Sequence, residues 1–430
     1  MTIFKRCAGR SNALSATLSA LVLIALSQSL SASICGTSAM ALASPVEAAA
    51  PAQNPFTAEA QWTPVLVSPT FSPRPFAGGE GEWHLVYDVA LTNYARHSSD
   101  LQKFEILGQG ADGTWSVLKT FDQGQIKKNI LLLSQSEASS TLAPGVAAVL
   151  FVNIDFAGES AISKVKALKN LKHRIVFLGA DALGTTKTYD YESAPFAIDD
   201  APPPRIAAPL RGGKWVAIGG YVGTAGHRQA LFAIENGLHS AQPFAIDWVR
   251  LDKDNYSTWD SAKVSGSAAY GENVHAVGEG KIVGVVNRFE DQPTIKPVGV
   301  DRVKWPGGNS IVQDLGNGYF AFYAHLKPGS IKVKEGDSVK SGDVIGCVGN
   351  TGNTTGPHLH MHIARNPGVL QADGVPYRFD HFEVLGQVED MDAFEKADEK
   401  GEVQHYVDGR FKGTHHDQLI RDGFVVDFGN

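Results

Sequence analysis

A chain of 430 residues has room for two or three domains, each with its own core. Its formal net charge of −7 is spread along the chain without a basic block, which excludes nucleic acid as the expected partner. Of the three cysteines, Cys7 and Cys35 lie near the start and Cys347 stands alone, so a disulfide framework is excluded as well.

Residues 1–43 read as a secretory signal peptide and 44–55 as a linker. Lys5, Arg6 and Arg10 make a basic start, and an apolar, serine-rich stretch follows from Ala13 to Ile34. Ala41-Leu42-Ala43 and Ala48-Ala49-Ala50 both fit a small-residue cleavage site. Serines dilute the stretch below the ~20 mostly apolar residues that spanning needs, and no later run reaches that length. Ile34 is too large for a lipobox before Cys35. The expectation is an exported protein, periplasmic or extracellular, with no membrane span once the signal is removed. Cys347, in Val344-Ile345-Gly346-Cys347-Val348, reads as an inert thiol in a buried strand.

From residue 56 to 200, short β-type runs alternate with turn clusters. Trp83–Leu91, Phe104–Leu107, Ala147–Ile154 and Arg174–Phe177 are separated by Gly78-Gly79-Glu80-Gly81, Ala111-Asp112-Gly113 and Pro144-Gly145. Runs of this length without a helical period predict a β-sandwich. His84, His97 and His173 are scattered through it and read as structural or surface residues. Ala201-Pro202-Pro203-Pro204 then predicts a stiff, extended boundary.

Residues 205–385 predict a second, mostly antiparallel β domain with glycine-rich corners. Gly280–Val286 reads as a strand; Asn309–Asp314 and Tyr319–Leu326 flank the turn Leu315-Gly316-Asn317-Gly318 as a hairpin. The segment closes with Gly352-Asn353-Thr354-Thr355-Gly356-Pro357 and the strand His358–Ile363. Residues 386–430 read as a C-terminal extension: the acid-rich stretch Glu389–Glu402 as a solvated helix face or loop, and Gly423–Phe428 as a strand.

The chemistry concentrates in the strand His358–Ile363. With a period of two, His358, His360 and His362 share one face and Leu359, Met361 and Ile363 the other. One histidine among apolar residues is most simply a satisfied core residue. Three on one face, with His325 on a nearby strand, point instead to a metal or acid–base site, because neutral imidazole binds zinc and titrates near neutrality.

Tyr323-Ala324-His325-Leu326, the glycine-rich segment Gly336–Gly349 and Gly356-Pro357-His358-Leu359-His360 resemble the lysostaphin- or LytM-type zinc metallopeptidases, over about Pro209 to Pro367. The resemblance implies an antiparallel β domain with a groove and zinc-dependent endopeptidase cleavage of peptidoglycan peptide cross-links. It also implies Asp247, in Ala245-Ile246-Asp247, and His360 as zinc ligands, with His325 and His358 as catalytic residues beside a zinc-bound water.

One position departs from that pattern. The family's first ligand strand reads His-x-Gly-x-Asp, and here Pro243 stands at the histidine position. Two ligands fall one short of the usual three of a catalytic zinc site, so a third must come from His239, His227 or His362. The alternative is a degenerate, non-catalytic domain that binds cell-wall peptides or regulates another wall hydrolase as a protein partner. No pair of carboxylates stands out for glycoside chemistry.

Overall fold

The computed structural model describes residues 61–134, 137–181, 183–224, 226–257, 263–293 and 304–430. The expected signal peptide, the linker and two of the cysteines, Cys7 and Cys35, lie outside the described residues. From Trp62 onward the chain forms one compact unit. It is mainly β and almost entirely antiparallel.

Two sheets make up the N-terminal half. One runs Val65–Pro69, Trp83–Asn93, Ala147–Phe156, Ile130–Leu132, and the other Thr186–Glu192, Asn170–Ala180, Ser99–Gln109, Trp115–Asp122. They share one apolar core, with Leu85, Tyr87 and Val89 on one side and Phe104, Ile106, Ile175 and Phe177 on the other. Asn170–Ala180 alternates buried and partly exposed positions, as a strand with one face toward solvent should. Trp83–Asn93 does not, because it is covered on both faces. Its odd positions face the sandwich core, while His84, Val86 and Asp88 turn to the second half of the molecule.

The sandwich and the second half, joined through Ala201–Pro204, keep separate cores but pack directly on each other. Val86 and Phe76 belong to the same apolar cluster as Trp215, Phe244 and Ile246. Asp88 and Arg228 form an ion pair across the contact at 2.6 Å, with the two side chains 0% and 1% exposed. Removing one partner of such a pair costs about 3–5 kcal/mol, since the other charge is left buried alone.

His84 centres a charge cluster on the sandwich side of the contact. Its Nδ1 lies 2.9 Å from Asp155 and its Nε2 3.2 Å from Glu80. Burial opposes the charged ring, but the two carboxylates outweigh it and raise His84 to about 9. The folded-state value lies above the unfolded value of roughly 6.5, so the stabilisation is complete below about pH 6.5 and is lost as pH rises through about 9. Thermal unfolding across pH 6–9.5 is expected to show a loss of roughly 3 kcal/mol, and His84→Gln should flatten that slope. An unchanged slope would refute this role.

The second half is built on an 11-stranded sheet. Its central order is Phe424–Asp427, Trp215–Gly219, Ile246–Arg250, Leu359–Ala364, Tyr319–Ala324, Ser310–Gly316, Gly280–Val286. The expected hairpin is present, with Ile311 paired to Tyr323 and Gln313 to Ala321. The expected C-terminal strand is present as Phe424–Asp427, which runs inside the sheet between Arg378–Gln387 and Trp215–Gly219. Phe424 and Val426 enter the main core, whereas Val425 faces a smaller cluster with Val216, Val388 and Phe394. Phe394 thereby anchors the helix Met391–Lys400, which is capped by Asp390 and ended by Gly401 at φ 67°. The reading of Cys347 is corrected. It sits on the strand Val344–Cys347, but at the strand's end, where its thiol is partly exposed and faces Asn273.

Candidate metal centre

Three adjacent strands set the site. Ile246–Arg250 pairs with Leu359–Ala364 so that Asp247 lies opposite His360, and Tyr319–Ala324 pairs on the other side so that Ala324 also lies opposite His360. Leu359, Met361 and Ile363 fill the core, which leaves His360 and His362 on the groove face. His358 precedes the strand.

Asp247 is the hub. Its Oδ1 lies 2.8 Å from His360 Nδ1 and 3.5 Å from His358 Nε2, and its Oδ2 lies 3.2 Å from His227 Nε2. His227, Asp247 and His360 each offer one donor atom, and the three atoms lie within 4.8 Å of one another. Two imidazoles and a carboxylate around one point match the donor set of a three-ligand zinc site with an open fourth position. The outer hydrogen bonds fit as well: His227 Nδ1 donates to Ala245 O at 3.0 Å, and His360 Nε2 faces His362 Nδ1 at 2.9 Å. Such outer contacts fix which nitrogen is presented to a metal.

Of the three residues considered for the place vacated by Pro243, only His227 reaches Asp247. It rides on the one-turn helix Gly226–Gln229. Gly219 admits its ring: at φ 83°, a Cβ there would lie 2.6 Å from His227 Nδ1. His239 instead sits in the hairpin Leu231–Ile234/Gly237–Ser240, with its ring 3.8 Å from Asp373. His362 stacks on Phe322 and contacts His360 from behind, so it orients that ring and stands away from the ligand point. Pro243 packs near Gly374.

His325 and His358 stand side by side, with ring centroids 4.6 Å apart; His325 is 5.9 Å from the ring of His360. Each is fixed by a backbone carbonyl. His325 Nδ1 donates to Thr351 O and His358 Nδ1 to Gly356 O, both at 2.8 Å, so Nε2 is the nitrogen left for the groove. His325 adopts φ 61°, a conformation uncommon outside glycine and frequent at functional sites. The segment Gly349-Asn350-Thr351-Gly352 holds it. Thr351 Oγ1 donates to Leu326 O at 3.0 Å, and Gly349 lies so close to Lys327 that a Cβ would come within 2.3 Å of its backbone.

Electrostatics separate the two rings. Burial would push Asp247 up and His227 and His358 down; their mutual attraction outweighs it, so Asp247 sits well below the usual carboxylate range and both histidines above the usual imidazole value. Burial, reinforced by His358 and His360, holds His325 well below that value, and burial with His360 does the same for His362. His360 is also lowered, first by burial.

Two clefts meet here. One, of about 210 Å³, includes Pro306, Phe322, Asn353 and Val369; the other is lined by Ile218, Val249, Phe394 and Asp398. Both contain His227, Asp247, Thr355 and His358. The acid-rich stretch expected as a solvated face thus supplies one cleft wall, a role not visible in its composition.

Residues 263–372 match Peptidase family M23. The match contains His325, His358, His360 and His362 and begins beyond His227 and Asp247. Peptidoglycan DD-endopeptidase ShyA of Vibrio cholerae is 48% identical over 56 residues, 13% of each chain. DD-carboxypeptidase/endopeptidase Mpg of Neisseria meningitidis is 47% identical over 59 residues, 14% of this chain and 13% of that one. The similarity therefore spans well under two thirds of these relatives. The catalytic domain of the antimicrobial peptidase lysostaphin from Staphylococcus simulans is 24% identical, with 38% of this chain and 88% of that one covered and a TM-score of 0.22.

Proposed function

We propose that this chain, which carries a peptidase M23 domain over residues 263–372, is an exported zinc-dependent endopeptidase acting on peptidoglycan peptide cross-links. The observation that carries the reading is the convergence of His227, Asp247 and His360 on one point, with His325 and His358 beside it. The three donors would hold the zinc. When bound, the ion would polarise the scissile carbonyl and make a coordinated water acidic.

The remaining roles belong to the protein's own groups. His325, neutral and tied through Nδ1, presents Nε2 as the acceptor for the proton of the attacking water. His358, whose charged form Asp247 favours, donates from Nε2 to the carbonyl oxygen as charge builds there. Environments that push two neighbouring rings in opposite directions suit them to opposite proton roles. Two clefts share Asp247 and His358, room that suits a peptide chain running through the site. The names of ShyA and Mpg support the wall peptide as substrate.

The test uses cross-linked wall digests and purified protein reconstituted with zinc. Conversion of cross-linked dimers to monomers, abolished by a chelator and restored by zinc, is the expected result. Peptide binding without turnover, or without zinc uptake, would establish the degenerate, regulatory reading instead.

A further inference from the structure

We infer that Asp88, on the sandwich strand Trp83–Asn93, is a positioning residue for the metal centre, acting through Arg228 on the turn that carries His227. The inference rests on the proposed zinc site. It also gives the N-terminal sandwich a role in that site.

The helix Gly226–Gln229 is a single 3₁₀ turn. One turn has no cooperative stability of its own, so its position is set by what its side chains hold. Two consecutive side chains hold it in two directions. His227 reaches Ala245 O and Asp247. Arg228 is buried, and its Nη2 donates to Asp88 Oδ1 at 2.6 Å and to Tyr87 O at 3.3 Å. The guanidinium also lies 5.3 Å from the centroid of the Phe151 ring, on the neighbouring sandwich strand. The other oxygen of Asp88 accepts from Ser240 Oγ at 2.6 Å. Asp88 therefore joins the His227 turn and the hairpin ahead of Asp247 to one rigid strand.

The geometry is strict. A zinc–nitrogen bond tolerates only a few tenths of an ångström around ~2.0–2.1 Å. His227 is one peptide unit from Arg228, so a turn no longer held through the guanidinium is free to carry the imidazole off the ligand point. His360 and Asp247 stand on paired central strands and need no such anchor.

The test is a double-mutant cycle on zinc affinity in the full chain, read by competition with a chromophoric chelator. Asp88→Asn is expected to weaken zinc binding about 10-fold, the low end of the range for groups that touch a ligand directly, because Asp88 acts through Arg228. In a His227→Ala background the same change is expected to do nothing further. Should Asp88→Asn fold poorly, Arg228→Lys keeps the charge but replaces the planar guanidinium that reaches Asp88 and Tyr87 O, and should give the same pattern. Equal losses with and without His227 would show a general structural effect and overturn the inference, as would unchanged affinity in both variants. Wild-type protein that takes up no zinc would instead refute the proposed function, and this inference with it.

Discussion

His227→Ala is expected to weaken zinc binding at least about 100-fold, while His239→Ala leaves it unchanged. The loss follows from ligand count. A catalytic zinc needs three protein donors, and removing His227 returns the site to Asp247 and His360 alone. His362 cannot step in, because it is engaged with His360 and Phe322. His239 serves as the control from the same segment: it lies four residues before Pro243, yet its ring points to Asp373. Competition titration of the two variants decides it. Equal affinity in wild type and His227→Ala would mean that the structure brings the wrong residue to Asp247 and would favour a domain that binds without cutting.

Much of this site can be read from the sequence, for a physical reason. The face shared by His358, His360 and His362 follows from the period of a strand, and the hairpin bringing His325 close follows from its Gly-Asn-Gly turn. The identity of the third ligand cannot be read that way. Both His239 and His227 occur in glycine-flanked loop sequence, and only the tertiary position of each loop separates them. Gly219 carried a signal, since a glycine pair at 219–220 ending a strand marks a tight bend, but not what the bend must admit. The covered second face of Trp83–Asn93 was partly visible too. Trp83-His84-Leu85-Val86-Tyr87-Asp88-Val89 does not alternate as a half-solvated strand would, and Asp88 within it calls for a buried cation. The proline run at 202–204 reads as a spacer on composition alone. Composition does not show that its last residue is tied into the second half, with Pro204 O accepting from Arg378 N at 3.0 Å.

His358→Ala is expected to lower kcat by about 100–1,000-fold while zinc occupancy stays near that of the wild type. The size is that of losing one donor to a developing oxyanion. The retention of metal follows from geometry: His358 Nε2 stands 3.5 Å from Asp247 Oδ1, farther than the donors of His227 and His360, and lies outside their three-atom cluster. His360→Ala is expected to do the reverse, since its Nδ1 is one of the three donors and its loss releases the metal before any chemistry is possible. Steady-state cleavage of cross-linked wall peptides, run beside metal analysis of the same preparations, separates the two. Parallel loss of zinc in both variants would show that His358 is a ligand. Unchanged turnover in His358→Ala at full zinc would move the proton chemistry to His325 alone, whose Nε2 is the other nitrogen left for the groove.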